Sequence, residues 1–156
     1  MRIGHGYDVH RTEVGKQLVI GGILIECDFG LKAHSDGDVL IHALSDAILG
    51  AAGLRDIGYY FPDTSDETLN MDSRIILARS VEMARDAGCR FEYADCTLVA
   101  QKPKMAPYIE AIRDALAEVI GTDRSRINVK ATTEEKLGFT GSGEGIAAHA
   151  VCILNE

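Results

Sequence analysis

The stretch GIAAHAVCIL, residues 145–154, limits what this chain can fold into more than any other. Side chains of a β-strand alternate between the two faces of a sheet, so a strand with one wet face alternates apolar with polar residues. Here both alternating sets are largely apolar, and the spacing predicts a strand buried on both faces. Helices of the same chain can cover one face. The other needs a second layer, which another subunit would supply.

The remaining elements follow from periodicity and punctuation. Residues 1–10 read as a strand, and QLVIGGILIE (17–26) holds two short apolar runs around Gly21-Gly22, a hairpin signal. DVLIHALSDAILGAAG (38–53) reads as a helix, with Ser35 or Asp36 near its N-cap and Gly53 at its end. A polar, Asp-rich loop at 61–72 leads to a second helix at about 73–87, closed by Gly88. FEYADCTLVA (91–100) and INVKATT (127–133) read as strands. Between them lies a third helix at about 106–120, with Ile109, Ile112, Leu116, Val119 and Ile120 at helical spacing. LGFTGSGEG (137–145) is expected to be a loop. No linker or repeat interrupts the 156 residues, so one domain over 1–156 is expected. The fold class is α+β, a mixed β-sheet with helices packed on one face.

The formal net charge of −8 argues against a nucleic-acid partner, which clustered Lys and Arg would bind. A small phosphorylated ligand stays compatible if metal ions supply positive charge. Cys27, Cys89, Cys96 and Cys152 are scattered without C-x-x-C spacing, as reduced, buried thiols would be. No stretch has the apolar length to span a bilayer, and Arg2, His5, Asp8 and His10 stand where a signal peptide needs an unbroken apolar run. A cytoplasmic protein without a membrane partner is the expectation.

Two stretches could carry chemistry. In YDVH, Asp8 and His10 sit two apart on a strand and project from one side, where they either face water or converge on a metal. In AHSDGDVLIHALSDAILG (33–50), Asp38, His42 and Asp46 fall four apart on one helical stripe. Three Asp and two His crowd this segment without a Lys or Arg, so a cation is needed or the stripe is solvated. Asp8, His10 and one histidine of this segment make a three-ligand set of the catalytic-zinc type. His42 is the better third ligand, since Asp46 one turn later would hold its ring; His34 then faces a substrate. The second stretch, NVKATTEEKLGFTGSGEG (128–145), offers the hydroxyls, carboxylates and glycines of a polyphosphate site, although it lacks the GK[ST] of a Walker A loop.

Taken in order, GHGYDVH, HSDGDVLIHAL, DIGYYFPDT, QKPKM and VKATTEEKLGFTGSGEGIA resemble the 2-C-methyl-D-erythritol 2,4-cyclodiphosphate synthase family, from Met1 to about Leu154. The resemblance implies a homotrimer with its sheets facing the three-fold axis and active sites in clefts between subunits. It implies conversion of 4-diphosphocytidyl-methylerythritol 2-phosphate into the cyclic diphosphate with release of CMP, a phosphorus–oxygen lyase reaction of the non-mevalonate isoprenoid route. The family's metal triad falls on Asp8, His10 and His42, expected to hold zinc. Glu135 would hold magnesium or manganese at the nucleotide phosphates, beside Thr132, Thr133 and Glu134. The cytosine pocket falls on Ala100, Gln101, Lys102, Pro103, Lys104, Met105 and Ala106, with Asp56, Ile57 and Gly58 toward the ribose. Ser35 lines the methylerythritol phosphate side with Phe61, Pro62, Asp63, Thr64 and Ser65, and the transition-state stabilisers map to His34 and Thr133.

The loop reads FTGSGEG, with Ser142 where many family members carry an Arg. That Arg, with Phe139, is associated in the family with an isoprenoid ligand on the trimer axis, so the resemblance does not carry such a ligand over to this chain. Two other function classes compete with the cyclase: a zinc phosphoesterase with water as nucleophile, and a non-catalytic trimer tied by metal.

Overall fold

A computed structural model describes residues 1–62, 64 and 69–156 of the chain. Its strands are β1 (Arg2–Val14), β2 (Leu18–Ile20), β3 (Ile23–Ile25), β4 (Phe29–Lys32), β5 (Arg90–Val99), β6 (Ile127–Thr132) and β7 (Gly145–Asn155). Five of them form one sheet in the order β4-β1-β7-β5-β6, and β2 pairs with β3 as a separate hairpin. Strand β7 runs antiparallel to both β1 and β5, whereas β5 and β6 are parallel, so the sheet is mixed. The last strand lies at its centre, as its apolar character requires.

The helices are α1 (Val39–Ala52), α2 (Ile57–Tyr60), α3 (Ser73–Asp86), α4 (Ile109–Ile120) and α5 (Gly138–Gly141). Strand β4 and the single-turn helices α2 and α5 were not expected; each is too short to establish a period. Helix α5 lies inside the stretch read as a loop.

Two glycines set how closely the first helix lies on the sheet. A Cβ on Gly4 would stand 1.8 Å from the Ala47 carbonyl oxygen, and one on Gly6 would stand 1.9 Å from that of Ala43. The backbones of β1 and α1 are therefore in direct contact, an approach only glycine permits. The next residues on the same face of β1 are Asp8 and His10. Beside Ala43 on the helix is His42.

Helix α1 is a middle layer, with the sheet on one side and α3 on the other. This overturns the reading of Asp38, His42 and Asp46 as a solvated stripe. Asp38 is wholly buried and His42 is 7% exposed. Asp38 is the true N-cap, in place of Ser35 or Asp36, and its Oδ1 accepts from Ile41 N at 3.0 Å. The same carboxylate accepts from Gly21 N at 2.9 Å and Gly22 N at 2.6 Å, which ties the hairpin turn to the start of the helix. Burial pushes its pKa up to about 6, against the opposing effect of these three N–H groups.

The expected burial of β7 is met within this chain on the face that the helices cover. Ile146, Ala148, Ala150, Cys152 and Leu154 are buried beneath the helices, but His149 and Val151 on the other face are exposed. Among the described residues no second layer covers that face, which also carries exposed Ile3, Tyr7, Val9 and Tyr93. The cysteines are all free thiols, and Cys27 alone is only half-buried. Among the described residues no helix is long and apolar enough to cross a membrane.

Candidate metal centre and adjoining cleft

Asp8, His10 and His42 meet where β1 and α1 touch. Asp8 Oδ2 lies 2.9 Å from His10 Nε2 and 3.0 Å from His42 Nδ1, and the two ring nitrogens are 3.1 Å apart. A tetrahedral ion with ligand bonds of about 2.0–2.1 Å needs donors about 3.3 Å apart. The triangle is a few tenths of an ångström tighter, so a small opening would admit a divalent ion. One carboxylate and two imidazoles suit a transition-series ion, and three protein donors leave a position for water or substrate.

The electrostatics agree. Burial works to raise the Asp8 carboxyl, but the hydrogen bonds and charge of His10 and His42 outweigh it and hold the group well below the usual carboxylate range. Burial lowers the basicity of His42, and the hydrogen bond and charge of Asp8 reverse that into a net rise. The corner thus holds a half-buried anion against His42, and a divalent ion could take over the positive charge that the ring's proton otherwise supplies.

The far side of the His42 ring departs from expectation. Asp46 does not hold it: its Oδ1 accepts from Ile57 N at 2.7 Å and so fixes the start of α2. Nε2 of His42 lies instead 2.9 Å from Ser73 Oγ, at the first residue of α3, and 3.2 Å from Ser35 Oγ. No local pattern points to Ser73, because it lies 31 positions away and its helix carries its own cap in Asp72.

The triad forms one wall of a cleft of about 450 Å³, lined also by His34, Ser35, Ile57, Gly58 and Phe61. These are five of the residues expected at the substrate. Asp56 caps the adjacent α2, accepting from Tyr59 N at 2.9 Å, and Pro62 and Thr64 follow Phe61 at the surface. Asp63 and Ser65 lie outside the described residues.

The other expected residues gather elsewhere. Ala100 N donates to Thr132 O at 3.1 Å and Lys136 N donates to Gln101 Oε1 at 3.2 Å, which brings the 100–106 turn against the 132–136 turn. Thr133 Oγ1 donates to Glu135 Oε1 at 3.0 Å and accepts from Glu135 N at 3.2 Å. Glu135 and Lys136 both adopt left-handed backbone, with φ of 52° and 67°, which non-glycine residues rarely hold without purpose. Glu134 accepts from Thr140 Oγ1, and Phe139 is 45% exposed. Lys102 and Lys104 are exposed, whereas Ala100 and Met105 are buried. This region lies at the same end of the sheet as the triad, but β7 and β5 intervene between β1 and β6. Three strand spacings amount to roughly 14 Å. One chain therefore builds two separate patches.

Comparison with known proteins places this arrangement. The YgbB family's sequence model matches residues 1–155. The 2-C-methyl-D-erythritol 2,4-cyclodiphosphate synthase of Azotobacter vinelandii is 56% identical over 154 residues, covering 99% of this chain and 98% of that one. Among solved structures, the bifunctional IspDF from Campylobacter jejuni superposes with a TM-score of 0.95 at 44% identity, over 98% of this chain and 42% of that longer one. A CDP complex of IspF from Plasmodium falciparum gives a TM-score of 0.86 at 35% identity, over 98% of this chain and 94% of that one. With a family match along nearly its whole length and relatives at this identity, the chain belongs to the YgbB family, the family of the 2-C-methyl-D-erythritol 2,4-cyclodiphosphate synthases.

Proposed function

We propose that this enzyme converts 4-diphosphocytidyl-2-C-methyl-D-erythritol 2-phosphate into 2-C-methyl-D-erythritol 2,4-cyclodiphosphate and CMP. The observation that carries the reading is the convergence of Asp8, His10 and His42 on the wall of a cleft in a member of this family. The step is an intramolecular phosphoryl transfer. An oxygen of the 2-phosphate attacks the β-phosphorus, the bond from that phosphorus to the bridging oxygen breaks, and CMP departs with that oxygen. The attacking oxygen is already anionic, so the site has to supply proximity and charge neutralisation rather than a strong base.

Divalent ions, zinc at Asp8, His10 and His42 and magnesium or manganese at Glu135, would supply positive charge against the phosphate oxygens when bound. The chain's own groups do the rest. His34 and Thr133 would donate hydrogen bonds to the phosphoryl group in transfer. Ser35, Phe61, Pro62 and Thr64 would enclose the methylerythritol phosphate, and Phe61 and Ile57 would help to keep water from competing as nucleophile. Thr132 and Glu134 frame the diphosphate, Ala100 to Ala106 the cytosine, and Asp56 and Gly58 the ribose.

The two patches become one site if chains associate as a homotrimer, one domain from each, with the outer sheet faces meeting on the axis. The exposed apolar set on that face and the separation of the patches within one chain support this reading. The highly charged substrate suits an enzyme of the aqueous cytoplasm.

A product assay tests the proposal: purified protein with zinc and magnesium is given the diphosphocytidyl substrate and followed by phosphorus NMR. CMP and a cyclic diphosphate should appear in equal amounts. CMP with an open-chain bisphosphate would show that water attacks and that the enzyme is a phosphoesterase.

A further inference from the structure

Ser73 has no evident work as a helix cap. Asp72 already caps α3, accepting from Arg74 N at 2.9 Å, yet Ser73 is wholly buried with its hydroxyl turned to His42. Its Oγ donates to Asp36 Oδ1, and its backbone N donates to Asp36 Oδ2 at 2.9 Å. Asp36 Oδ1 also accepts from Asp38 N at 3.1 Å, and Asp36 N donates to Met71 O at 3.2 Å. The carboxylate is thus held between the segments that precede α1 and α3.

The direction of this chain of hydrogen bonds follows from what each group can do. An ionised carboxylate only accepts, so the single hydrogen of the Ser73 hydroxyl goes to Asp36. What Ser73 Oγ then presents to His42 is a lone pair, and Nε2 has to be the donor. A neutral imidazole with its proton on Nε2 has a bare Nδ1. That nitrogen is the one facing Asp8 and His10, so its 3.0 Å contact with the Asp8 carboxylate is a hydrogen bond only while the ring carries a second proton, on Nδ1, and it is that proton an arriving metal ion replaces.

We infer that Ser73 and Asp36 are positioning residues that fix His42 as the Nε2–H tautomer and orient its ring, so that Nδ1 is ready to ligate a metal. The inference rests on the metal reading above but adds residues that reading does not use. Ser35 Oγ, at 3.2 Å from the same nitrogen, is the poorer acceptor by distance and accepts a second N–H from Gly37 at 3.3 Å. Outer partners that orient a ligating histidine typically contribute about 10–100-fold to metal affinity.

The experiment measures zinc affinity by competition with a chromophoric chelator in the full-length protein, its Ser73→Ala and Ser73→Thr variants, and Ser35→Ala. Ser73→Ala should bind zinc about 10–100-fold more weakly, and the visible absorption of its cobalt-loaded form should change. Ser73→Thr, which keeps the hydroxyl, should restore most of both. A folded Ser73→Ala protein that binds zinc as tightly as the parent would overturn the inference. So would a loss confined to Ser35→Ala. Nitrogen NMR of the histidine-labelled parent protein, in alkaline buffer where the ring is neutral, reads the tautomer even if Ser73→Ala fails to fold. A proton on Nε2 of His42 supports the relay, and one on Nδ1 overturns it. A parent that shows the Nε2–H tautomer but binds no zinc would sink the metal reading and leave the relay standing.

Discussion

The triad corner and the Thr132–Lys136 turn lie at the same end of one sheet, yet they are built in opposite ways. The corner stands on a long strand and a buried helix whose backbones touch, and each ligand is fixed by neighbours of the same chain. The turn is exposed, held by short local hydrogen bonds, with two residues in left-handed backbone. The contrast teaches that one chain by itself brings the three candidate metal ligands together, whereas the turn is held by its own short contacts and stands open to solvent.

The sharpest way to break the comparison is Gly6→Ala. The new methyl would press on the Ala43 carbonyl at 1.9 Å, so α1 must lift and carry His42 with it. A loss of about 3 kcal/mol or more is expected in denaturant unfolding. Parent-like stability would mean that the strand–helix contact does not set the corner.

His42→Ala should leave the fold largely intact and remove the tightly bound metal, with turnover down at least about 100-fold, the upper end of what losing an outer partner costs. Metal analysis beside the assay decides, and full activity in protein shown to be free of metal would refute the triad. Mixing tests the separation of the patches. Chains carrying His42→Ala, reassembled with chains carrying Thr133→Ala and Glu135→Ala, should regain about a quarter of parent activity, the chance that two intact patches from different chains share a cleft. No recovery in verified mixed trimers would place both patches of each site on one chain.

Asp38→Asn should cost about 1–3 kcal/mol, since an amide cannot accept from all three N–H groups. Its pH dependence carries a definite sign. With a carboxyl raised to about 6 in the folded chain, the penalty for the buried charge is full above that pH and fades as pH falls toward ordinary carboxylate values. Over that window the stability gap should widen in favour of the parent, and a flat gap would show that Asp38 is not raised. The smallest effect is expected from Glu135→Gln: roughly tenfold weaker CDP binding with magnesium, about one charge-assisted bond, with zinc content unchanged. Loss of zinc with normal CDP affinity would reverse the roles of the two patches.

Much of the corner was legible because its signals are local. Asp8 and His10 share a face through the two-residue period of a strand, and the helix bearing His42 announces itself by period and by Gly53. What the sequence hid depends on packing across elements. Nothing in GHG says that a helix backbone lies against it. The burial of Asp38 became visible only once α1 proved to be a middle layer, and Ser73 could not be paired with His42 without knowing where α3 begins. Asp46 was misplaced for a related reason: helical spacing puts it beside His42, but the short α2, which spacing did not reveal, claims its carboxylate. The family resemblance named the residues of the turn, but their exposure and left-handed backbone follow from no pattern of residue types.

The bare strand at Gly4 and Gly6 has an evolutionary consequence. Every amino-acid replacement of a glycine adds atoms, and at these two positions there is no room for one. The exposed residues between and beyond them, His5, Tyr7 and Val9, carry no such constraint from the helix and answer only to whatever meets the outer face of the sheet. The candidate metal corner, built on the next residues of the same strand face, inherits that immobility.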